Sequence, residues 1–260
     1  MREPKISIIT VVYNGEATLE KCITSVRNQD YKNIEYIIIN GNSTDTTDEI
    51  IKANEDIVDI YLNEPDNGIY DAINKGIKLA NGDYIGILNS DDWYTEDHSI
   101  AMVVDHMERC KCDALHAPID VYDSQNKILR RARCMYLGRK SFLLGFHPRH
   151  PTLVVKSAVY EKIGLFDLRY PISADYDFMF RAFYIQRLKL SRLDYKFVGM
   201  QFGGVSQNGL KNILFSNAGC AITWLYHGKP WGIMIFILKP FFKIFDYIES
   251  KPSIKDKVSN

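Results

Sequence analysis

The sequence predicts an α/β fold built on a central, mostly parallel sheet, and three observations carry that prediction. Four continuous apolar runs rich in β-branched residues alternate with segments of helical periodicity through the N-terminal part of the chain. The runs are apolar at successive positions, as strands covered on both faces must be, whereas a half-solvated antiparallel strand alternates. At 260 residues, 46% hydrophobic and 12% aromatic, the chain can bury a full core, which excludes a disordered protein or a stapled miniature.

Ile6 to Val12 forms the first run and ends at Tyr13-Asn14-Gly15. Ala17, Leu19, Cys22, Ile23 and Val26 then recur at helical spacing, giving strand, turn and helix. Ile34 to Ile39 predicts a second buried strand, after which Ser43, Thr44 and Asp45 offer capping chemistry to a helix carrying Ile50 and Ile51. A third strand is expected over Ile57 to Leu62. The turn Pro65-Asp66-Asn67-Gly68 opens a helix from Ile69 to Ala80 that Asn81-Gly82 ends, and Tyr84 to Leu88 is the fourth strand. A helix is expected from near Thr95. Beyond Glu108 the pattern turns β-like, with Ala114 to Tyr122 and Lys127 to Cys134 joined by a hairpin or longer connection at 123–126, then a short strand at Thr152 to Val155. Helices follow at Ser157 to Ile163, Asp175 to Gln186 and about Asn208 to Tyr226, ahead of a charged tail from Ser250.

Lys plus Arg and Asp plus Glu are both 32, a formal net charge of +0, which argues against nucleic acid as a partner. The balance hides an asymmetry. Met1 to Asn126 holds 24 acidic and 10 basic residues, and Lys127 to Asn260 holds 8 acidic and 22 basic, so the basic half is the one suited to phosphates or an anionic surface. Five cysteines without paired CxxC spacing indicate neither a disulfide framework nor a structural zinc, and a reducing cytoplasm fits them. The N-terminal apolar run reads as a core strand and not as a signal peptide. Trp231 to Ile248 is the one lipid-like stretch, but Lys239, Pro240, Lys243 and Asp246 interrupt it, so it reads as an interfacial segment and not a span. Packing of that segment on the catalytic domain or in a homo-oligomer is the competing expectation.

Ligands of open parallel sheets bind at the carboxyl ends of the strands. Here those ends carry Tyr13-Asn14, Asn40-Gly41-Asn42 and Asn89-Ser90-Asp91-Asp92. Two adjacent carboxylates at a sheet mouth suit Mg2+ or Mn2+, hard ions that take one or two carboxylates together with substrate phosphates. Asp92 as the N-cap of the following helix is an equal reading of the same residues.

Taken in order, the motifs resemble those of family-2 inverting glycosyltransferases of the GT-A fold. They are Ser-Ile-Ile-Thr-Val-Val-Tyr-Asn (7–14), Ser-Val-Arg-Asn-Gln (25–29), Asn-Gly-Asn-Ser-Thr-Asp (40–45), Asn-Lys-Gly-Ile with Gly-Asp-Tyr-Ile following (74–85), Asn-Ser-Asp-Asp (89–92) and Ala-Asp-Tyr-Asp (174–177). The stretch Glu64-Pro-Asp-Asn-Gly-Ile-Tyr-Asp-Ala-Ile-Asn-Lys-Gly is similar to the exopolysaccharide and lipopolysaccharide branch of that family, which includes colanic-acid-type enzymes. The resemblance implies a GT-A type nucleotide-binding fold over residues 1–206, with a nucleotide half at 1–109, an acceptor half at 110–206, and a helical C-terminal extension at 207–260.

It implies further that Asp92 is the metal ligand for Mn2+ or Mg2+, that Asp91 shares the metal or meets the ribose, and that Val11, Tyr13, Asn40, Asn42, Lys75, Asn89 and His150 surround the donor. Asp175 takes the place of the family's catalytic base, with Ala174 where a Glu is usual; N-capping is the plain reading of the same Asp. Asp177 reads as structural, and His147 as a loop histidine. Asn89 and Asn40 stand where the family commonly has Asp, which leaves one carboxylate fewer at the metal and an uncharged acceptor for a base N–H. Gly203-Gly204-Val205-Ser206 is a candidate phosphate approach. The implied activity is metal-dependent hexosyl transfer from a nucleoside diphosphate sugar to a saccharide or lipid-linked saccharide in bacterial surface polysaccharide synthesis, at the cytoplasmic face of the plasma membrane. Two alternatives are a nucleotidyltransferase, which the lack of a Gly-rich loop after Tyr13 disfavours, and a non-catalytic carbohydrate-binding or scaffold protein with this fold.

Overall fold

A computed structural model describes residues 2–123, 125–132, 138–144, 146–202, 209–232, 234–235 and 238–239. The parallel part follows the sequence closely. It comprises β1 (Ile6–Val12), α1 (Leu19–Arg27), β2 (Ile34–Asn40), α2 (Thr47–Ala53), β3 (Ile60–Asn63), α3 (Ile69–Leu79) and β4 (Tyr84–Ile87). Strand β1 lies between β2 and β4, parallel to both, with Ile9 opposite Ile37 on one side and Ile87 on the other. Alternate residues serve different cores. Ile9, Val11, Ile37 and Ile39 join the cluster on one face of the sheet, while Ile8, Val12, Tyr36 and Ile38 join the cluster on the other, which is why these strands read as unbroken apolar runs.

The next elements are β5 (Asp92–Tyr94), α4 (Ser99–Cys110), β6 (Ala114–His116), β7 (Ile119–Tyr122), β8 (Ile128–Ala132), β9 (Val154–Lys156), α5 (Ser157–Ile163), α6 (Ala174–Met179), β10 (Leu190–Arg192), β11 (Val198–Gln201) and α7 (Gly209–Tyr226). Among the described residues they complete a seven-stranded sheet in the order β10-β6-β9-β4-β1-β2-β3, with β9 antiparallel to both neighbours. They also form a four-stranded sheet in the order β5-β11-β7-β8.

Several elements differ from expectation for identifiable reasons. The chain after Asp91 forms strand β5, pairing Asp92 with Met200, and α4 begins only at Ser99; Asp92 is therefore a strand residue and not an N-cap. The segment 114–122 splits into two strands in different sheets, divided at Ala117-Pro118, where proline removes a ladder donor. The β7–β8 connection is the antiparallel hairpin. Helix α6 continues as wider π-helical turns from Phe180 to Ile185.

Cys220 and Trp224 of α7, together with Ile235, lie in the same core as the first face of the sheet. Trp224 Nε1 donates to the Tyr176 hydroxyl at 2.7 Å, and His227 Nε2 lies 3.2 Å from Asp177 Oδ1, so the C-terminal helix is tied to α6. Residues 203–208 and most of the Trp231–Ile248 segment fall outside the described residues, and with them the Gly203-Gly204 reading. Among the described residues no helix is long and apolar enough to cross a membrane.

Candidate active site

Hydrogen bonds between loops shape the rim at the carboxyl ends of β1 and β2. Asn14, at φ 51°, donates its backbone N–H to Ser43 Oγ at 2.9 Å and accepts from Thr44 N at 2.9 Å through Oδ1. Gly15 N donates to Thr47 Oγ1 at 2.9 Å and Glu16 N to Asp45 Oδ2 at 3.1 Å. The polar run after β2 therefore stitches the two loops together.

Tyr13 stands on this rim with its side chain 65% exposed, available to stack on a planar ligand. Val11 is buried in the core below it. Asn40 is fully buried; its Oδ1 accepts from Ser43 N at 3.0 Å and Ser43 Oγ at 2.6 Å, and its Nδ2 donates to the Tyr61 hydroxyl at 3.1 Å. This amide holds the turn from inside. Asn42, at φ 61°, is exposed on the rim. Lys75 Nζ donates to the Pro65 carbonyl at 2.7 Å and pairs with Glu64 at 2.8 Å, and the Glu64 carboxylate pushes its pKa up. Lys75 thus fastens the turn 64–68 to α3.

Beyond β4, Asn89 Nδ2 donates to Asp92 Oδ2 at 3.1 Å. Asp92 is 1% exposed, and its Oδ1, like Asn89 Oδ1, has no hydrogen-bond partner among the described residues. Burial, and after it the adjacent Asp91 charge, push the Asp92 carboxyl well above the usual carboxylate range; burial raises Asp91 as well. Two buried acceptor oxygens without donors are costly to a metal-free chain and suit a hard divalent cation. No cluster of three or more His, Cys, Asp or Glu side chains able to hold a metal occurs among the described residues. The residues present therefore fit a hard divalent cation as a partial shell, which substrate oxygens and water would complete.

Asp175 opens α6. Its Oδ1 accepts from Tyr176 N at 2.8 Å and from the Tyr70 hydroxyl at 3.0 Å, while Oδ2 makes no hydrogen bond to the described residues. Tyr70, from the second position of α3, also reaches the Ile172 carbonyl at 3.1 Å and stacks on Phe166 with centroids 5.6 Å apart. Burial, and then the Asp175 charge, push the Tyr70 phenol well above its ordinary pKa, so it remains a donor. Two histidines stand close enough to feel the Asp175 charge. Burial lowers His147 to about 4, with Asp175 opposing, and its Nδ1 donates to the Pro148 carbonyl at 2.9 Å. Burial lowers His150 too, and its Nε2 is buried without a partner among the described residues. Both are neutral near pH 7. Asp177 is consumed by Arg181 Nε at 2.8 Å and by His227, the structural part expected of it.

The model of glycosyl transferase family 2 matches residues 7–179, a stretch that holds the Tyr13 rim, the Asp91-Asp92 pair and Asp175. The chain belongs to glycosyl transferase family 2. Similar curated proteins include an uncharacterised glycosyltransferase of Rickettsia prowazekii, 29% identical over 198 residues, or 71% of this chain and 60% of the relative. A PGL/p-HBAD biosynthesis glycosyltransferase of Mycobacterium bovis is 29% identical over 189 residues, 70% of this chain and 71% of that one. The first relatives are longer than this family-2 chain, which spans 14% of glycosyltransferase GlyA of Streptococcus pneumoniae and 60% of the rickettsial protein.

Among solved structures, TarS 1-349 of S. aureus with UDP superposes at a TM-score of 0.65 with 17% identity, covering 85% of this chain and 65% of that one. The mannosyltransferase PcManGT of Pyrobaculum calidifontis, with GDP-Man and Mn2+, superposes at 0.65 with 17% identity, covering 92% and 70%. The family-2 fold is the GT-A type, with its large mostly parallel sheet.

Tyr70 is the contact that sequence reasoning passed over. It lies within a motif quoted above, but an aromatic at the second position of an amphipathic helix gives no sign of facing a carboxylate 105 residues away.

Proposed function

We propose that the chain is an inverting, metal-dependent glycosyltransferase that moves a hexosyl group from a nucleoside diphosphate sugar to a saccharide or lipid-linked saccharide in bacterial surface polysaccharide synthesis. The observation that carries the reading is Asp175: one oxygen is held by two donors and the other is left for a substrate proton. In the proposed step Asp175 Oδ2 accepts the proton of the acceptor hydroxyl as that oxygen bonds to the anomeric carbon, and the bond from that carbon to the diphosphate breaks. A single displacement inverts the anomeric centre. His147 and His150, held neutral, offer hydrogen bonds to acceptor hydroxyls without competing for the proton. Tyr13 orients the base. Asp92 and Asp91 would hold the cation, which when bound supplies charge neutralisation to the leaving diphosphate.

The ligands of the structural neighbours, UDP, UDP-GlcNAc and GDP-Man, support a nucleotide-sugar donor. The test is a screen of nucleotide sugars for donor hydrolysis and for thermal stabilisation with Mn2+ or Mg2+. Asp175→Asn should keep donor-induced stabilisation while hydrolysis falls by about 10²-fold or more. Unchanged hydrolysis would remove Asp175 as the base, and stabilisation by no donor would favour the scaffold reading.

We place the chain peripherally on the inner face of the plasma membrane. Phe215, Ile222, Leu225 and Tyr226 of α7, with Trp231 and Met234 after it, are exposed, and Lys229 lies among them. Replacing Leu225 and Trp231 by Ser should leave the fold intact and abolish sedimentation with anionic liposomes. If the intact chain does not sediment and the variant instead changes oligomeric state, the face is a homo-oligomer interface.

A further inference from the structure

Between the ends of β1 and β2 the structure exchanges one side chain for another. Gly41 is buried and has no positive φ, so its backbone is open to any residue; what it lacks is space. A Cβ there would stand 2.4 Å from Asp66 Oδ2 and 3.6 Å from Tyr13 Cδ2. The Asp66 carboxylate therefore fills the volume that a side chain at 41 would take, beside the exposed ring of Tyr13. Asp66 Oδ1 is fixed by Gly68 N at 2.8 Å, and Oδ2 makes no hydrogen bond to the described residues. Asn40 cannot serve here, since Ser43 and Tyr61 occupy its amide inside the fold.

We propose that Asp66, and not Asn40, reads the nucleobase of the donor stacked on Tyr13, and that it selects bases with a ring N–H on the pairing edge, uracil, thymine or guanine, over adenine and cytosine. This rests on the nucleotide-sugar reading above. An ionised carboxylate only accepts. The N3–H of uracil or thymine and the N1–H of guanine give it a charge-assisted hydrogen bond, whereas adenine and cytosine present a ring nitrogen lone pair at that place, and a site built around a hydrogen bond rejects ligands lacking the donor.

The test is calorimetric titration of the full chain, in Mn2+ or Mg2+, with UDP, dTDP, GDP, ADP and CDP. At least one of the first three should bind tenfold or more tightly than ADP and CDP. Asp66→Asn can keep its oxygen on Gly68 N, which puts an NH2 where Oδ2 stood. The favoured diphosphate should then lose at least tenfold in affinity, and the ranking should flatten or turn toward CDP and ADP. Gly41→Ala, with Asp66 intact, pushes a methyl into the carboxylate and should produce the same tenfold loss, which guards against a folding defect in either variant alone. If the wild type binds diphosphates without preference among bases, or if both folded variants keep its affinities and ranking, Asp66 is not the reader. If the wild type binds none of the five, the nucleotide-sugar reading itself fails.

Discussion

Tyr70→Phe isolates what the second donor on Asp175 does. The substitution removes one oxygen and leaves the ring stacked on Phe166, so packing is preserved. What is lost is the phenol O–H that Asp175 Oδ1 accepts at 3.0 Å and that also reaches the Ile172 carbonyl at 3.1 Å, leaving Tyr176 N at 2.8 Å as the remaining donor to Asp175 Oδ1. Hydrogen bonds to charged groups contribute about 1.5–3 kcal/mol, and 1.36 kcal/mol is tenfold in rate. If that interaction serves to aim Oδ2 at the acceptor hydroxyl, kcat should fall by about 10- to 10²-fold while donor affinity stays at the wild-type level. The assay is release of nucleoside diphosphate from a donor found in the screen, with affinity measured separately by titration. A double-mutant cycle with Asp175→Asn decides the mechanism: once the base is gone, Tyr70→Phe should cost little more. Equal, additive losses in both backgrounds would mean that Tyr70 acts by holding the fold together and not through Asp175, and an unchanged kcat would refute the positioning role outright.

Two further outcomes follow from buried groups. Asp92→Asn replaces a buried carboxylate that has an unpartnered oxygen with a neutral amide, which costs less to bury and can still accept from Asn89 Nδ2. The metal-free variant should therefore gain about 1–3 kcal/mol, several degrees in Tm, and should lack the Mn2+-induced stabilisation expected of the wild type on the proposed reading; a variant that melts lower and still responds to metal would contradict the assignment. His116 is buried and its pKa is lowered to about 4, by burial first and then by the Arg192 charge. The folded state thus binds fewer protons than the unfolded chain between the ordinary value near 6.5 and about 4. Its share of stability is complete above pH 6.5 and is lost as pH falls toward 4, by about 3 kcal/mol in all. His116→Gln should flatten that part of a denaturation–pH profile, and an unchanged slope would show that other groups set it.

The parallel half of the fold was legible because its physics is local. A strand buried on both faces must be apolar at every position, and Ile6 to Val12 and Ile34 to Ile39 are. The late strands were not, since Leu190–Arg192, at the edge of the first sheet, and Val198–Gln201, in the second, are three and four residues long and mixed in polarity, and their pairing depends on partners far along the chain. Asp92 shows the same limit, because nothing near it in sequence announces Met200 across from it. At the site, carboxylates at a strand end and at a helix start were readable by type and place. The inward turn of Asn40 was not, because an amide facing a ligand and an amide facing Ser43 are written with the same letter.

The segment from Glu64 to Ala80 unites these observations. At its start, Asp66 stands beside Tyr13 on the rim proposed for the donor base, and Lys75 fastens that turn to α3 through Glu64 and Pro65. At the second position of the helix, Tyr70 holds the oxygen of Asp175, and one turn further Asn74 makes two hydrogen bonds to Phe166, accepting from its N–H at 3.0 Å and donating to its carbonyl at 2.9 Å. Phe166 in turn carries the ring on which Tyr70 stacks and against which His150 sets its edge. On the proposed reading, one helix and the turn that leads into it therefore link the side of the nucleotide to the carboxylate beside the acceptor. Side chains locked on a helix hold such geometry more closely than loops do, and a displacement of about 1 Å at a reacting centre can cost about 10²-fold in rate. On the proposed reading, successive turns of this segment have separate tasks: Asp66 at the donor base, Tyr70 at the Asp175 carboxylate and Asn74 at the Phe166 backbone.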